Sequence, residues 1–289
     1  MKKIIVVCIM VVMSLSIIPA MAGGNADDLI AEGMGLEARN NLNGAISFYK
    51  KAVRAQPDYS YAYVRLGNAY RQLGELKKAE KTIKKAIALT PSDPETYFHL
   101  ARIYMDMGRD KEAEIALQGA LKVNPKHVPS LVALAVLQKK RGDLDTAVKN
   151  LETAIQYEPM AFSAHANLAN IYIEKGLWVK AVNELRTAAK IDPTQAEVRR
   201  NLGLAYLQLG EADAAIRELS EAIKFKPTYA VAYYNLAEAY AMKGLRGEAI
   251  WYFNKYLEYS DPMADREWRE RAKQRIAELQ AGQPAGVVR

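Results

Sequence analysis

The stretch Ser60–Asp93 reads SYAYVRLGNAYRQLGELKKAEKTIKKAIALTPSD. Its Pro91 has counterparts at Pro57, Pro125, Pro159, Pro193 and Pro227, and its Gly74 at Gly108, Gly142, Gly176, Gly210 and Gly244. Both series run at 34 residues without an insertion, the period of a helix–turn–helix repeat. Counting Ser60 as position 1, Tyr63, Leu66, Gly67 and Tyr70 fall at i, i+3, i+4 and i+7 and make the stripe of a first helix, A. Ala79, Ile83, Ala86 and Ile87 make the stripe of a second, B. Gly74 stands where helix A must end on a backbone angle that glycine adopts cheaply. Pro91 ends helix B, because proline lacks the amide hydrogen and clashes with the preceding turn.

Small residues mark where the two helices meet. Position 8 is Gly33, Gly67, Ala101, Ala135, Ala169, Gly203 and Ala237, and position 20 is alanine throughout, from Ala45 to Ala249. A larger side chain at either place overpacks the pair, at about 1–3 kcal/mol. Position 11 is tyrosine in five units: Tyr70, Tyr104, Tyr172, Tyr206 and Tyr240. The row is read as packing between neighbouring hairpins.

These residues together resemble the tetratricopeptide (TPR) family. The resemblance covers 26–263 as seven units: 26–59, 60–93, 94–127, 128–161, 162–195, 196–229 and 230–263. It implies an all-α, right-handed superhelical solenoid of seven helix pairs, with helix A lining the concave face and helix B the convex face. A lone pair cannot bury its stripe, so stability comes from stacking neighbours.

Before the repeats, Lys2 and Lys3 precede the apolar run Ile4–Ile18, then Pro19 and the small-residue site Ala20-Met21-Ala22. Residues 1–22 read as a cleaved signal peptide, so the expected location is periplasmic. The alternative is an uncleaved segment anchored in the inner membrane. Cys8, the single cysteine, lies inside the apolar run and not at the cleavage site, which argues against a lipoprotein. Of 40 basic residues two are Lys2 and Lys3, so against 33 acidic ones the remainder carries a net charge near +5. The charges alternate in sign, and an exported chain has little reason to meet nucleic acid.

The first unit departs from the pattern, with Glu32 at position 7 and Asn40 in place of the turn glycine. His165 takes position 4 of unit five, where a bulky apolar residue is expected, and is read as packing. After unit seven, 264–281 reads as a capping helix. A one-residue delay puts Trp268 and Ala272 at positions 4 and 8, with Arg271 and Arg275 wetting the outer side. The tail 282–289 reads as disordered.

No chemistry is expected. His99, His127 and His165 fall at positions 6, 34 and 4 and are not expected to converge on a metal. No phosphate loop, paired-cysteine motif or His-Glu-x-x-His helix occurs. The chain is therefore expected to be no enzyme and to need no cofactor or metal.

The resemblance points to the concave face, lined from positions 2, 5, 6, 9, 12 and 13 of helix A. Its N-terminal half offers Tyr61, Arg65, Asn68, Phe98 and Arg102. In the C-terminal half, position 6 is Asn167, Asn201 and Asn235, with Asn170 at position 9 and Tyr234 at position 5. An amide donates and accepts as a peptide group does, so such a row can pair with an extended backbone. The row looks like the asparagine ladder of O-linked N-acetylglucosamine transferases, whose catalytic part is absent here. The alternative is that asparagine is ordinary repeat sequence at this position. If the amides face only a groove, Asn201→Ala leaves thermal unfolding nearly unchanged. The expected function is a scaffold holding a protein or peptide segment, in envelope assembly or secretion, with at most peripheral membrane association. The competing reading is a structural spacer or self-associating array that uses convex faces and ends. Partner, pathway and oligomeric state are not written in the sequence.

Overall fold

The computed structural model describes residues 25–282; the signal-peptide reading, Cys8 and most of the tail lie outside them. Those residues form fifteen α-helices and no strand. The odd-numbered helices α1 to α13 begin at Ala26, Ser60, Pro94, Val128, Phe162, Ala196 and Ala230. The chain divides into two compact units, one ending at Thr90 and one beginning at Pro91.

The first unit holds α1 (Ala26–Ala38), α2 (Leu42–Ala55), α3 (Ser60–Gln72) and α4 (Leu76–Leu89). The α3–α4 turn shows how the punctuation works. Gly74 has φ +80°, and the Glu75 N–H donates to the Tyr70 carbonyl at 2.9 Å, closing the helix end. Asn40 adopts φ +58° at the corresponding place between α1 and α2, so the asparagine does the glycine's job. The α3–α4 crossing is close enough that a Cβ on Gly67 would sit 2.5 Å from Ile83 Cδ1. Gly33 bears the same relation to Tyr49.

The second unit carries five further hairpins. They are α5–α6 (Pro94–Asp106, Asp110–Val123), α7–α8 (Val128–Lys140, Leu144–Tyr157), α9–α10 (Phe162–Glu174, Trp178–Ile191), α11–α12 (Ala196–Gln208, Ala212–Phe225) and α13–α14 (Ala230–Met242, Arg246–Tyr259). Helix α15 (Arg266–Gln280) follows. Each helix A is wrapped on two sides. Leu168, Leu202 and Leu236 at position 7 are at most 2% exposed, and so are Ala164 and Ala232 at position 3 and Ile171 and Ala239 at position 10. Ala239 shares a cluster with Ala215 and Leu219 of α12, which puts the 3/10 row against the preceding helix B. That second row is not in the stripe read from the sequence, which held only 4, 7, 8 and 11.

Position 4 also proves to be more than packing. His165 Nε2 lies 3.1 Å from the Pro159 carbonyl, Arg199 Nε donates to the Pro193 carbonyl at 2.8 Å, and Tyr233 Oη donates to the Pro227 carbonyl at 2.9 Å. His165 Nδ1 and Arg199 Nη1 also reach Glu184 and Glu218, at 2.7 and 2.8 Å. The side chain here ties the helix to the proline turn before it and to its own helix B. His165 fits because an imidazole bonds at both ends.

Helix α15 joins the stack in a different register from the one expected. Ala272 is fully buried and Leu279 is 3% exposed, seven residues apart like the 3/10 pair. Arg275 then takes position 6. It is drawn inward to Glu238, with Nε and Nη2 each 3.2 Å from a carboxylate oxygen, and to Glu278 at 2.6 Å. Trp268, expected inside, is 49% exposed. The face that would receive a further helix B carries Lys273 and Ala277, both exposed.

Candidate functional site

The residues expected on the groove divide into three groups. In the first compact unit, Tyr61 is 43% exposed, its ring 6.0 Å from that of Tyr59. Asn68 is half-buried one turn beyond Arg65. Arg65 is structural: Nη2 donates to Glu37 at 2.7 Å and to Tyr49 Oη at 3.2 Å. Gln72 adds a third bond to Glu37 at 2.7 Å. Burial, and then the hydrogen bond to Glu37, push the Tyr49 hydroxyl up to about 12. This network fastens α3 to the first hairpin.

The second group is the amide row, and the structure separates its members. Asn201 Nδ2 donates to Asn170 Oδ1 at 3.0 Å, so position 6 of one unit bonds position 9 of the unit before it. Glu238 and Arg275 repeat that relation at the end of the stack. Asn167 has Val136 as its position-9 neighbour by register and donates to the Ser163 carbonyl at 2.7 Å. Asn235 has Leu204 as its position-9 neighbour; it is 8% exposed and its Nδ2 is buried without a partner. The four amides therefore do not form one continuous ladder. Two bond each other, one bonds its own helix, and one is buried.

The third group is aromatic. Tyr234 belongs to the chain end and not to an open groove. Its ring meets Phe253, Tyr256 and Trp268 edge-on, each at 5.3 Å, and burial pushes its hydroxyl up to about 12. Phe98 and Arg102 are half-buried. Arg102 lies over the Phe98 ring at 5.8 Å, and both line a recess of about 710 Å³. Val132, Val136, Met160 and Phe162 line the same recess from α7 and the start of α9. Val132 and Val136 fall at positions 5 and 9, both expected to line the groove, whereas Met160 and Phe162, at position 33 of unit four and position 1 of unit five, were not expected there.

Two of the histidines meet on one carboxylate. His127 Nε2 lies 3.0 Å from Glu95 Oε2, and His99 Nε2 lies 3.6 Å from Glu95 Oε1. Position 34 closes the unit and position 2 opens it, so the stack brings them side by side. The His127 hydrogen bond comes first in holding the Glu95 carboxyl below its usual range. His165 stays apart. Among the described residues no group of three or more His, Cys, Asp or Glu side chains is placed to hold a metal ion. No helix among them is long and apolar enough to cross a membrane.

Hairpins of fixed period, a glycine turn in each and a small-residue crossing define a helical-repeat scaffold. A TPR repeat family model matches 67–108, 138–176, 169–210 and 203–244, and further tetratricopeptide repeat models match 94–127 and 48–81. The chain belongs to the tetratricopeptide repeat family. It is similar in fold to pilF of Pseudomonas aeruginosa, at TM-score 0.64 and 17% identity over 78% of this chain and 97% of that one. The C-terminal part of a TPR protein from Cytophaga hutchinsonii gives 0.63 and 16% over 86% and 99%. The APC/C hetero-tetramer Cut9–Hcn1 gives 0.64 and 17% over 86% and 52%. No curated protein matches the sequence.

Proposed function

We propose that this chain holds a segment of another protein against the helix-A face of units three to five. Scaffolds of this family serve protein–protein interaction, and the reading here is that role given a place. The observation that carries it is the recess lined by Phe98, Val136, Met160 and Phe162, apolar side chains of which Met160 is 58% exposed. Apolar walls seat side chains of the bound segment, while a few polar groups fix its direction. Asn167 bonds the carbonyl of Ser163, which lines the recess, while Asn235 is buried. No catalytic role is assigned. The leader-like residues 1–22 support export, and with it a partner in the cell envelope, in assembly or secretion.

Two experiments test this. Fractionation with N-terminal sequencing reads the location: a chain beginning near Gly23 in the periplasmic fraction supports export, and a cytoplasmic chain keeping Met1 contradicts it. Affinity purification from cells compares the native chain with Val136→Asp/Met160→Asp, checked for an unchanged helical spectrum. Partners lost from the double variant support the groove. Identical partners from both contradict it.

A further inference from the structure

The position-11 tyrosines carry a second pattern. In three units a cation of the same chain covers the ring. Lys78 lies 5.6 Å and Lys50 5.7 Å from the Tyr70 centroid, Arg109 lies 4.5 Å from that of Tyr104, and Lys180 lies 5.4 Å from that of Tyr172. Lys78 and Lys180 share one repeat position, the nineteenth. Unit seven has Glu248 there instead.

Its tyrosine, Tyr240, stacks on Tyr252 at 5.1 Å with the planes 6° apart, and Trp251 meets Tyr252 edge-on at 4.7 Å. These three rings, with Gly247 and Glu248, line an open recess of about 510 Å³. Trp251 is 53% exposed, and a Cβ on Gly247 would meet nothing within 4 Å, so the mouth is clear. Lys243 bonds Asp213, Lys255 bonds Glu258 and lies over Trp251 outside the recess, and Arg246 bonds the Gly282 carbonyl.

We propose that this recess binds the ammonium group of a lysine side chain from a partner protein, the cation lying against the exposed Trp251 and the open side of the stacked Tyr240–Tyr252 pair, with Glu248 as its counter-charge. A ring face attracts a cation through its quadrupole, and a carboxylate beside it adds Coulomb attraction. Glu248 repels an anion and gives nothing to an apolar group. The chain itself shows the ligand class, since lysine fills the equivalent place in units two and five. The recess lies on the α13–α14 hairpin and does not depend on the groove, so groove variants leave it unchanged.

The test follows the Trp251 indole N–H signal by NMR, assigned with Trp251→Phe. The full chain is titrated with Nα-acetyl-lysine N-methylamide and with its norleucine counterpart. The expected result is a saturable shift with the lysine compound alone, about fivefold weaker in Glu248→Gln. In Glu248→Lys the shift disappears, because the chain's own lysine fills the recess. Should that variant fold poorly, Glu248→Gln carries the comparison. Equal shifts from both compounds overturn the proposal, as does no shift from either. A response to phosphocholine vesicles without one to the lysine compound also overturns it, in favour of a lipid headgroup.

Discussion

Asn201 donates its side-chain amide to Asn170 at 3.0 Å, joining the helices A of units five and six through one part-buried hydrogen bond. The bond makes Asn201 structural as well as available, which revises the expectation that Asn201→Ala is silent in thermal unfolding. The variant is expected to lose about 1 kcal/mol. Asn170→Ala loses a similar amount, and the double variant loses less than the sum, because one bond cannot be removed twice. Asn235→Leu goes the other way. It removes a buried donor that has no partner, so melting stays level or rises. Urea titrations of the four variants read the order directly.

Gly67→Ala is expected to destabilise by about 1–3 kcal/mol, since the new methyl falls on Ile83. Trimming the neighbour, as Gly67→Ala/Ile83→Val, recovers part of the loss. Ala147→Leu, at a site with no exposure, costs at least as much. Gly35→Ala is the control. It lies within α1 with nothing within 4 Å of its Cβ, and gains about 0.5–1 kcal/mol in helix propensity. A melting series with Gly35→Ala below Gly67→Ala would refute the crossing geometry.

Arg275→Met leaves the Glu238 carboxylate, 5% exposed, without its bidentate partner. A loss of about 2–3 kcal/mol is expected, less than for a fully enclosed pair because Arg275 keeps some solvent. Glu238→Gln/Arg275→Met restores much of it. Hydrogen exchange should report the loss first in α13 to α15.

The Glu95 carboxyl is held below its usual range, first by the His127 hydrogen bond. A depressed carboxylate stabilises the fold above its unfolded value and loses that contribution as pH falls through the folded value. The wild type therefore exceeds Glu95→Gln in melting temperature near neutral pH. The gap narrows below the usual glutamate value of 4.5. A gap that keeps widening below that value contradicts the assignment.

Much of the fold is legible in the sequence because glycine and proline punctuate it at a fixed interval and each has a backbone reason to be there. The site is less legible, because a repeat position tells which way a side chain points but not what it meets. Asn167, Asn201 and Asn235 share position 6. Their fates differ with the residue at position 9 of the preceding unit: Val136, Asn170 and Leu204. His99 and His127 look unrelated by position, yet the junction between units places both on Glu95. Arg275 was misplaced because the segment before α15 shifts the register. The buried Ala272 and Leu279 reveal this only once the helix is seen packed.

The groove is tested most directly by in-cell photo-cross-linking from two single positions. One is Val136, inside the recess. The other is Ile115, 68% exposed on α6 outside it. The account predicts a discrete adduct with another protein from position 136, absent from position 115 and lost when Phe162→Asp is added. Adducts from position 115 alone would move the binding surface to the helix-B side and contradict the groove.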